Sequence, residues 1–375
     1  MGVFVLEVAE IFRLYGAVYR ARFGDRLLPS HARALRDIEA CRTPYFGGHV
    51  KQCDNRECGK KVYVYHSCGN RSCPKCHREQ TERWLDKQRA RLLPSLYYLL
   101  TFTLPKELRT LAFGHQKKVY GLLMRCAATA LQKLAADPRY VGGRLGLLGV
   151  LHTWTRAMLY HPHVHFLATA GGLSRDGTQW IKAKNPAFLV PVQALSLIFR
   201  AKVCAALKKA GLLEQVPCTV WKKKWVVHCQ PAGTGQKVLD YLGRYIFRVA
   251  IPNSRLERID DGQVTFRYHD NRTQETRHVT IPALEFIRRF LQHVVPRGYA
   301  KIRYYGIWSG SCRKQLDQAR DLLLMVVQPD RGLDLVLPNT PALVPRLPDP
   351  IRCPYCEIGL LIEIERLYPQ RRAPP

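Results

Sequence analysis

The sequence of 375 residues has little negative charge and no long apolar run. Lys and Arg total 59 against 29 Asp and Glu, which gives a formal net charge of +30. A compact chain with that charge repels itself unless a polyanion or a spread of basic surface accommodates the charge, and nucleic acid is the expected partner. No stretch approaches the roughly 18 uninterrupted apolar residues that a membrane-spanning helix needs. We therefore expect no membrane partner.

The N-terminal residues lack the pattern of an export signal. The opening MGVFVLEVAEIFR is interrupted by Glu7 and Glu10 and has no basic start or cleavage-site pattern. An apolar fraction of 47% with 10% aromatic residues argues against a disordered or fibrous chain. The sequence therefore predicts a globular protein that stays in the cytoplasm.

Disulfides are not expected, although the chain has 13 cysteines. Six of them lie between positions 41 and 76 of a long chain without an export signal, so metal binding is the better interpretation. Zinc takes four soft ligands, usually as two close pairs. The expected ligands are Cys53 with Cys58 and Cys73 with Cys76, and the substitutes are Cys68 and His66. The prediction is one structural zinc site.

Two features connected with this module stay open. Cys353 and Cys356 form another close pair, and two thiolates cannot complete a zinc shell. The pair is half of a site finished by a partner chain, a remnant, or incidental. Basic residues also decorate the module, and they either contact DNA or form a solvated face; they are Lys51, Lys60, Lys61, Arg71, Lys75 and Arg78.

The order of the patterns predicts an α+β protein of four parts. Helical spacing dominates residues 1–46, and the cysteine module with a helical exit covers residues 47–92. Strand and helix patterns alternate over residues 93–326, including a long helix over 106–137. Residues 327–375 are rich in proline and read as a tethered tail with the CPYC pair.

Three histidines share one face of a predicted strand. Side chains alternate along a strand, so His161, His163 and His165 of the segment HPHVH point to the same side. Three imidazoles on an otherwise apolar strand are costly without a ligand. The pattern predicts a site for a divalent cation, and magnesium or manganese would suit a site shared with an anionic substrate.

A predicted helix, GQKVLDYLGRYIFRVA, carries two tyrosines one turn apart. Tyr241 and Tyr245 lie on the same face as Lys237, Arg244 and Arg248. Tyrosines on an amphipathic helix often lie only at the edge of a core. A phenol with a pKa of about 10 becomes a useful nucleophile beside positive charge or a metal, and arginines hold phosphates well. The tyrosines are therefore candidate nucleophiles, and the basic residues are candidate DNA contacts.

A shorter segment, WKKKWVV, interleaves two tryptophans with lysines. Such a pattern suits stacking on unpaired bases together with phosphate contacts. An ordinary strand with a basic exposed face gives the same pattern. The candidate DNA-binding residues of this segment are Trp221, Lys222, Lys223, Lys224 and Trp225.

These motifs resemble those of the bacterial rolling-circle transposases of insertion sequences, which carry an HUH endonuclease with two tyrosines. HPHVH resembles the HUH motif, which would make His163 and His165 metal ligands. YLGRY resembles the paired-tyrosine motif, which would make Tyr241 and Tyr245 the nucleophiles. HSCGNRSC followed by CPKC is similar to the zinc-binding domain that precedes the catalytic domain in that family. The likeness spans roughly residues 40 to 325.

The resemblance implies an HUH-type domain over residues 93–326, with a central, mainly antiparallel sheet flanked by helices. The implied reaction is the cutting and joining of single-stranded DNA, at transposon ends and target, through a 5′-phosphotyrosine. Zn²⁺ would be structural and Mg²⁺ or Mn²⁺ catalytic, and the bound protein would lie at the nucleoid. The third ligand of the catalytic cation stays open among His161, His152, Gln236 and Asp240.

Two other functions fit the same motifs. A plasmid replication initiator or a conjugative relaxase would use the same chemistry. A zinc-containing DNA-binding regulator without catalysis would use HPHVH and YLGRY only structurally.

Overall fold

The computed structural model of the chain describes residues 6–234, 237, 238, 243, 249–270, 272–326 and 351–370. Within these residues the protein is α+β, as the sequence predicts, with three antiparallel sheets. Helices cover both faces of the largest sheet. No helix in the described residues is long and apolar enough to cross a membrane.

The strands of the central sheet are β3 (Tyr97–Thr103), β4 (Arg144–Trp154), β5 (Tyr160–Leu173), β6 (Trp180–Lys182), β7 (Val227–Gly233) and β11 (Ile302–Gly306). Their order in the sheet is β11-β4-β5-β3-β7, and the short β6 pairs with β5. The two strands predicted around residues 145–155 and 160–170 are its antiparallel centre.

One face of this sheet packs against three helices, α4 (Arg109–Gly114), α5 (Gln116–Ala135) and α6 (Val192–Lys209). The buried side chains there include Phe102 and Phe166, whose rings meet edge to face at 5.8 Å. The long helix expected over residues 106–137 is broken, because His115 leaves helical geometry with φ −123° and ψ 42°.

The opposite face of the sheet carries a second group of apolar side chains. Leu148, Val150 and Leu167 are buried on it with residues of α8 (Arg313–Val326), and half-buried Trp84 and Leu85 of α3 (His77–Arg89) pack against them. Because side chains alternate along a strand, this apolar surface continues into histidines farther along β4 and β5.

The N-terminal helices form a second core. They are α1 (Val8–Phe23) and α2 (Pro29–Glu39), and α2 begins at a proline, whose missing N–H costs nothing in the first turn. Phe12 of α1 meets Phe290 of α7 (Ala283–Leu291) edge to face at 5.2 Å. The second sheet packs into the same core; it consists of β8 (Leu256–Asp260), β9 (Gln263–Asp270) and β10 (Glu275–Pro282).

The third sheet pairs the cysteine module with the C-terminal described segment, 351–370. Its strands β1 (Gly48–Cys53) and β2 (Lys61–Tyr65) form a hairpin in the cysteine module. The outer strand is β12 (Leu361–Leu367), which pairs antiparallel with β1 from Gly48↔Leu367 to Cys53↔Leu361. The described end of the proline-rich tail is therefore part of the cysteine module and not a free tether.

Candidate functional site

Three histidines from two neighbouring strands meet on one face of the central sheet. His152 of β4 lies directly opposite His163 of β5, and His165 follows on the same face. One nitrogen of each ring lies within 4.8 Å of the others. The ring centroids are 5.5 Å apart for His152 and His163 and 4.7 Å for His152 and His165. This triad has the size of a cation site.

Hydrogen bonds on the far side of two of these rings fix their orientation. His163 Nδ1 donates to the backbone carbonyl of His161 at 2.7 Å, because a carbonyl can only accept. The Nε2 atom of neutral His163 therefore keeps its lone pair. His165 Nδ1 lies 3.1 Å from Thr101 Oγ1 on β3. Burial lowers the pKa of His163, which favours the neutral form that a metal requires.

His161, the third histidine of the predicted strand face, binds Arg109 and is not a member of the triad. Arg109 donates to its Nδ1 at 2.6 Å. Since a guanidinium has no acceptor, a neutral His161 carries its proton on Nε2 and has no lone pair left for a metal. Burial, with the charges of His163 and Arg109, lowers its pKa to about 4. Of the four candidate third ligands, His152 is the one that joins His163 and His165.

The tyrosine segment is described at only a few positions. Val238 is fully buried in the same cluster as Leu148, Val150 and Leu167, which is the histidine face of the sheet. Lys237, one residue earlier, is exposed. The remaining predicted residues of this segment lie outside the described residues; they are Gln236, Asp240, Tyr241, Arg244, Tyr245 and Arg248.

The tryptophan–lysine segment is not the exposed strand that its pattern suggests. Trp221 and Lys222 end a short 3-10 helix, Cys218–Lys222. Trp225 is 4% exposed, donates from Nε1 to the carbonyl of Val220, and stacks on half-buried Trp221 at 5.6 Å. A buried ring cannot stack on a base, so the prediction for Trp225 is corrected.

The three lysines of this segment are exposed, and they differ in what they contact. Lys223 pairs with Glu107, and this pairing lowers the pKa of that carboxyl. Lys222 and Lys224 are exposed.

Four cysteines near the N-terminus form the first cysteine cluster: Cys41, Cys68, Cys73 and Cys76. Their closest Sγ–Sγ distances are 3.5 Å for Cys68 and Cys76, 3.6 Å for Cys41 and Cys76, and 3.8 Å for Cys41 and Cys73. A tetrahedron with metal–sulfur bonds of about 2.3 Å has edges of about 3.8 Å. A disulfide would instead need about 2.05 Å. The cluster therefore has the dimensions of a zinc site.

A second cysteine cluster combines residues from the two ends of the described chain: Cys53, Cys58, Cys353 and Cys356. Its Sγ–Sγ distances are 3.6 Å for Cys53 and Cys356 and 3.8 Å for Cys58 and Cys353. Cys353 is 1% exposed and Cys53 4%. The lone CPYC pair of the sequence thus meets its complement within the same chain.

The predicted single site is therefore divided. Cys53 and Cys58 belong to one cluster and Cys73 and Cys76 to the other, because the fold brings remote cysteines to each pair. Cys68, expected as a substitute, is a full member of the first cluster.

The other expected substitute, His66, lies in neither cluster. Its Nδ1 donates to the carbonyl of Phe46 at 3.1 Å, and its Nε2 lies 2.8 Å from Nε2 of His49. Sequence reasoning missed Cys41 as a cluster member. A lone cysteine just after α2 was the available signal.

The basic residues of the module differ in their surroundings. Arg71 donates to the carbonyls of Val295, Pro296 and Tyr299, so its guanidinium serves the core. Lys75 pairs with Glu7. Lys61 is exposed, and Lys60 is exposed with its Nζ 5.3 Å from the ring centroid of Tyr355. Lys51 is half-buried on β1, and the side chain of Arg78 lies outside the described residues.

Two family models match the chain. One, described as "Transposase zinc-binding domain", matches residues 11–104. The other, described as "Putative transposase", matches residues 146–315. The match to the zinc-binding model contains all of the first cysteine cluster and half of the second cysteine cluster. The match to the transposase model contains the three histidines of the triad.

Two relatives match over most of their length. "Putative transposase y4qJ" of Sinorhizobium fredii is 40% identical, over 96% of this chain and 95% of the relative. "Transposase for insertion sequence element IS801" of Pseudomonas savastanoi pv. phaseolicola is 30% identical, over 86% of this chain and 82% of the relative. No solved structure gives a significant match.

Proposed function

This chain belongs to the bacterial insertion-sequence transposases with an N-terminal zinc-binding domain, and we propose that it moves DNA by cutting and rejoining single strands with tyrosine nucleophiles. The observation that carries the proposal is the triad of His152, His163 and His165 on one sheet face. The reaction class is phosphodiester transesterification in rolling-circle transposition.

The histidine triad suits a divalent cation. Two of its rings are held through their Nδ1 atoms. The carbonyl partner of His163 leaves Nε2 of that ring for ligation, and His165 offers its Nε2 in the tautomer in which Nδ1 donates to Thr101 Oγ1. A cation held there would polarise the scissile phosphate and offset the charge that develops on it. Imidazole ligands favour Mn²⁺ over Mg²⁺, which prefers oxygen.

The nucleophiles in this proposal are Tyr241 and Tyr245, assigned from the resemblance of YLGRY to the paired-tyrosine motif. One tyrosine loses its phenolic proton, and its oxygen attacks phosphorus. The bond from phosphorus to the 3′ oxygen breaks, and that oxygen takes up a proton and leaves as a hydroxyl, so no net proton is consumed. The protein becomes joined to the 5′ end, so the phosphoester energy is kept for rejoining. The second tyrosine cuts a second strand before the first is released. Val238, three positions before Tyr241, is buried on the histidine face, which supports this assignment.

DNA contacts are proposed for exposed basic residues near the sheet. Lys237, Lys222 and Lys224 are exposed, and Arg244 and Arg248 are assigned from the helical pattern. The net charge of +30 favours a strongly salt-dependent association. Since the substrate is bacterial DNA, the bound protein is expected at the nucleoid.

The first cysteine cluster is proposed to hold structural Zn²⁺. The Sγ–Sγ distances fit a tetrahedral site, and all four ligands lie within the part matched by the zinc-binding family model. Hydrogen bonds among the sulfurs move their pKa values apart, raising that of Cys68 and lowering that of Cys41 to about 7. Bound zinc would keep all four as thiolates, which stabilises the module.

The test is adduct formation with a single-stranded oligonucleotide from an end of the insertion sequence. The wild-type protein with Mn²⁺ should give a denaturation-resistant protein–DNA band, and chelation should remove it. A regulator without catalysis gives no such band. The alternatives of replication initiator and relaxase receive no support from the relatives, which are both named transposases.

A further inference from the structure

We propose that the second cysteine cluster is a second structural zinc site, which fastens the segment 351–370 onto the zinc-binding domain. The ligands are Cys53 and Cys58 from the hairpin β1–β2 and Cys353 and Cys356 from that segment. The zinc-binding family model ends at residue 104, so it covers only half of this ligand set. The site goes beyond the strand-cutting function and does not depend on it.

The four cysteine sulfurs and the distances between them suit a tetrahedral metal site. Sγ–Sγ distances of 3.6 and 3.8 Å match the edge of about 3.8 Å expected for four thiolates around zinc. Four sulfurs in a tetrahedron select zinc or iron, and four protein thiolates leave no coordination position for a substrate. Cys53 and Cys353 are buried, and Cys58 and Cys356 are half-buried. A closed site of this kind is structural.

The backbone around the cluster is shaped to the sulfurs. Gly359 follows Cys356 and donates from its N–H to Cys356 Sγ at 3.4 Å. A Cβ added at Gly359 would lie 2.4 Å from Sγ of Cys53, which no real side chain allows. Only glycine lets the chain turn this closely over the cluster.

The segment 351–370 has no apolar core that could hold it in place. Within it, the buried residues are Cys353 and Gly359, both at the cluster. Its apolar side chains are largely exposed, including Ile358 at 78%, Tyr355 at 61% and Ile362 at 54%. A segment that buries so little surface needs another source of folding energy, and metal binding supplies it.

Hydrogen bonds beside the cluster connect it to the strand β12. Asp54 and Leu360 exchange two hydrogen bonds, from Leu360 N to Asp54 Oδ1 at 2.7 Å and from Asp54 N to the carbonyl of Leu360 at 3.0 Å. The pairing of β12 with β1 follows directly. Farther along, His49 Nδ1 lies 2.6 Å from Glu363 Oε1. Zinc thus sets the register at one end of β12.

The first experiment measures zinc and iron by plasma mass spectrometry in the full chain. The wild-type protein should contain two zinc ions, and Cys353→Ser with Cys356→Ser should contain one. The matched control, Cys204→Ser with Cys218→Ser, removes two cysteines outside both clusters and should keep two. Equal zinc contents in the wild type and in Cys353→Ser with Cys356→Ser, or iron as the metal that this variant loses, overturn the proposal.

The second experiment keeps all four thiols and disturbs only the backbone at Gly359, which passes close to Sγ of Cys53. Gly359→Ala should lose one zinc and make Cys53 and Cys58 reactive toward a maleimide, as located by peptide mass spectrometry. Gly24→Ala is the control, since an added Cβ there meets nothing within 4 Å. Two zinc ions and protected thiols in Gly359→Ala contradict the proposed site. Either result leaves adduct formation by the histidine and tyrosine residues as a separate question.

Discussion

His152 of β4 lies directly opposite His163 of β5, with the two rings nearly perpendicular and their centroids 5.5 Å apart. This cross-strand pair, and not the neighbouring His161, completes the histidine triad.

We expect His152→Ala to weaken Mn²⁺ binding by at least about 10–100-fold, since even a partner outside the coordination shell is worth that much. Isothermal titration calorimetry gives the affinity. His161→Ala should bind Mn²⁺ nearly as well as wild type, and the reverse ranking would sink the ligand assignment.

The hydrogen bond between Thr101 and His165 should also matter for the cation. Thr101→Val keeps the shape of the side chain and removes the oxygen that lies 3.1 Å from Nδ1. The affinity for Mn²⁺ should fall about 10–100-fold because the ring loses its fixed orientation. Thr265→Val, in an exposed pair with Thr280, is the matched control and should leave the affinity unchanged. Equal affinities of the two variants would argue against orientation by Thr101.

Both tyrosines are expected to be needed for transposition. Tyr241→Phe and Tyr245→Phe should each impair transposition in a mating assay, because each removes one nucleophilic oxygen and keeps the ring. The double variant should give no covalent adduct on a denaturing gel. Tyr368→Phe, at a residue 78% exposed on the C-terminal segment, serves as the control. Full adduct yield from the double variant would falsify the assignment.

Lysines of the tryptophan–lysine segment should contribute unequally to DNA binding. Lys222→Ala and Lys224→Ala should each reduce the slope of log affinity against log salt by about 0.7, the value for one phosphate of a single strand. Lys223→Ala should change it less, because Lys223 pairs with Glu107. Fluorescence anisotropy at several salt concentrations measures the slopes. An equal loss for all three lysines would contradict the role of Glu107.

Trp225 should matter for stability and not for base stacking. Trp225→Ala should lower the free energy of unfolding by about 3–5 kcal/mol, the usual cost of removing a buried tryptophan. At a temperature where the variant is folded, its affinity for single-stranded DNA should be close to that of wild type. Denaturant unfolding and anisotropy give the two values. A stable variant with a selective loss of DNA binding would restore the original stacking prediction.

The stability of the fold should decrease in acid because of buried His293. Burial lowers the pKa of His293 to about 4, against about 6.5 in the unfolded chain. The unfolded state therefore binds more protons between these pH values. This contribution of about 3 kcal/mol is complete above pH 6.5 and is lost as the pH falls toward 4. His293→Gln should flatten that part of the stability profile, as measured by denaturant unfolding at several pH values. An unchanged profile in His293→Gln would rule out this origin.

Local periodicity was enough to predict the two central strands, β4 and β5, and two members of the histidine triad. Alternation along HPHVH placed His163 and His165 on one face, and the structure has them there. The third member could not be chosen, because cross-strand register decides it, and register depends on the turn between Trp154 and Tyr160. The same alternation wrongly favoured His161, since it cannot reveal that Arg109 occupies its nitrogen.

Cysteine spacing identified pairs but not how the pairs combine. Two residues between Cys73 and Cys76 indicate a local turn that presents both sulfurs. Which other pair completes the shell is a tertiary matter, and here the partners of Cys53 lie about 300 positions away. The buried Trp225 is a similar case, because a basic neighbourhood in sequence conceals a packed ring.

The strand pairing of β12 with β1 has a consequence for biosynthesis. At roughly 5–20 residues per second, the ribosome needs about 15–60 s to reach Leu361 after it has made Cys53. During that interval β1 presents an unpaired edge, which is a template for association with other nascent chains. A gene copy that stops before codon 353 would leave this edge open permanently. Premature termination should therefore yield aggregates and not a shortened, soluble protein.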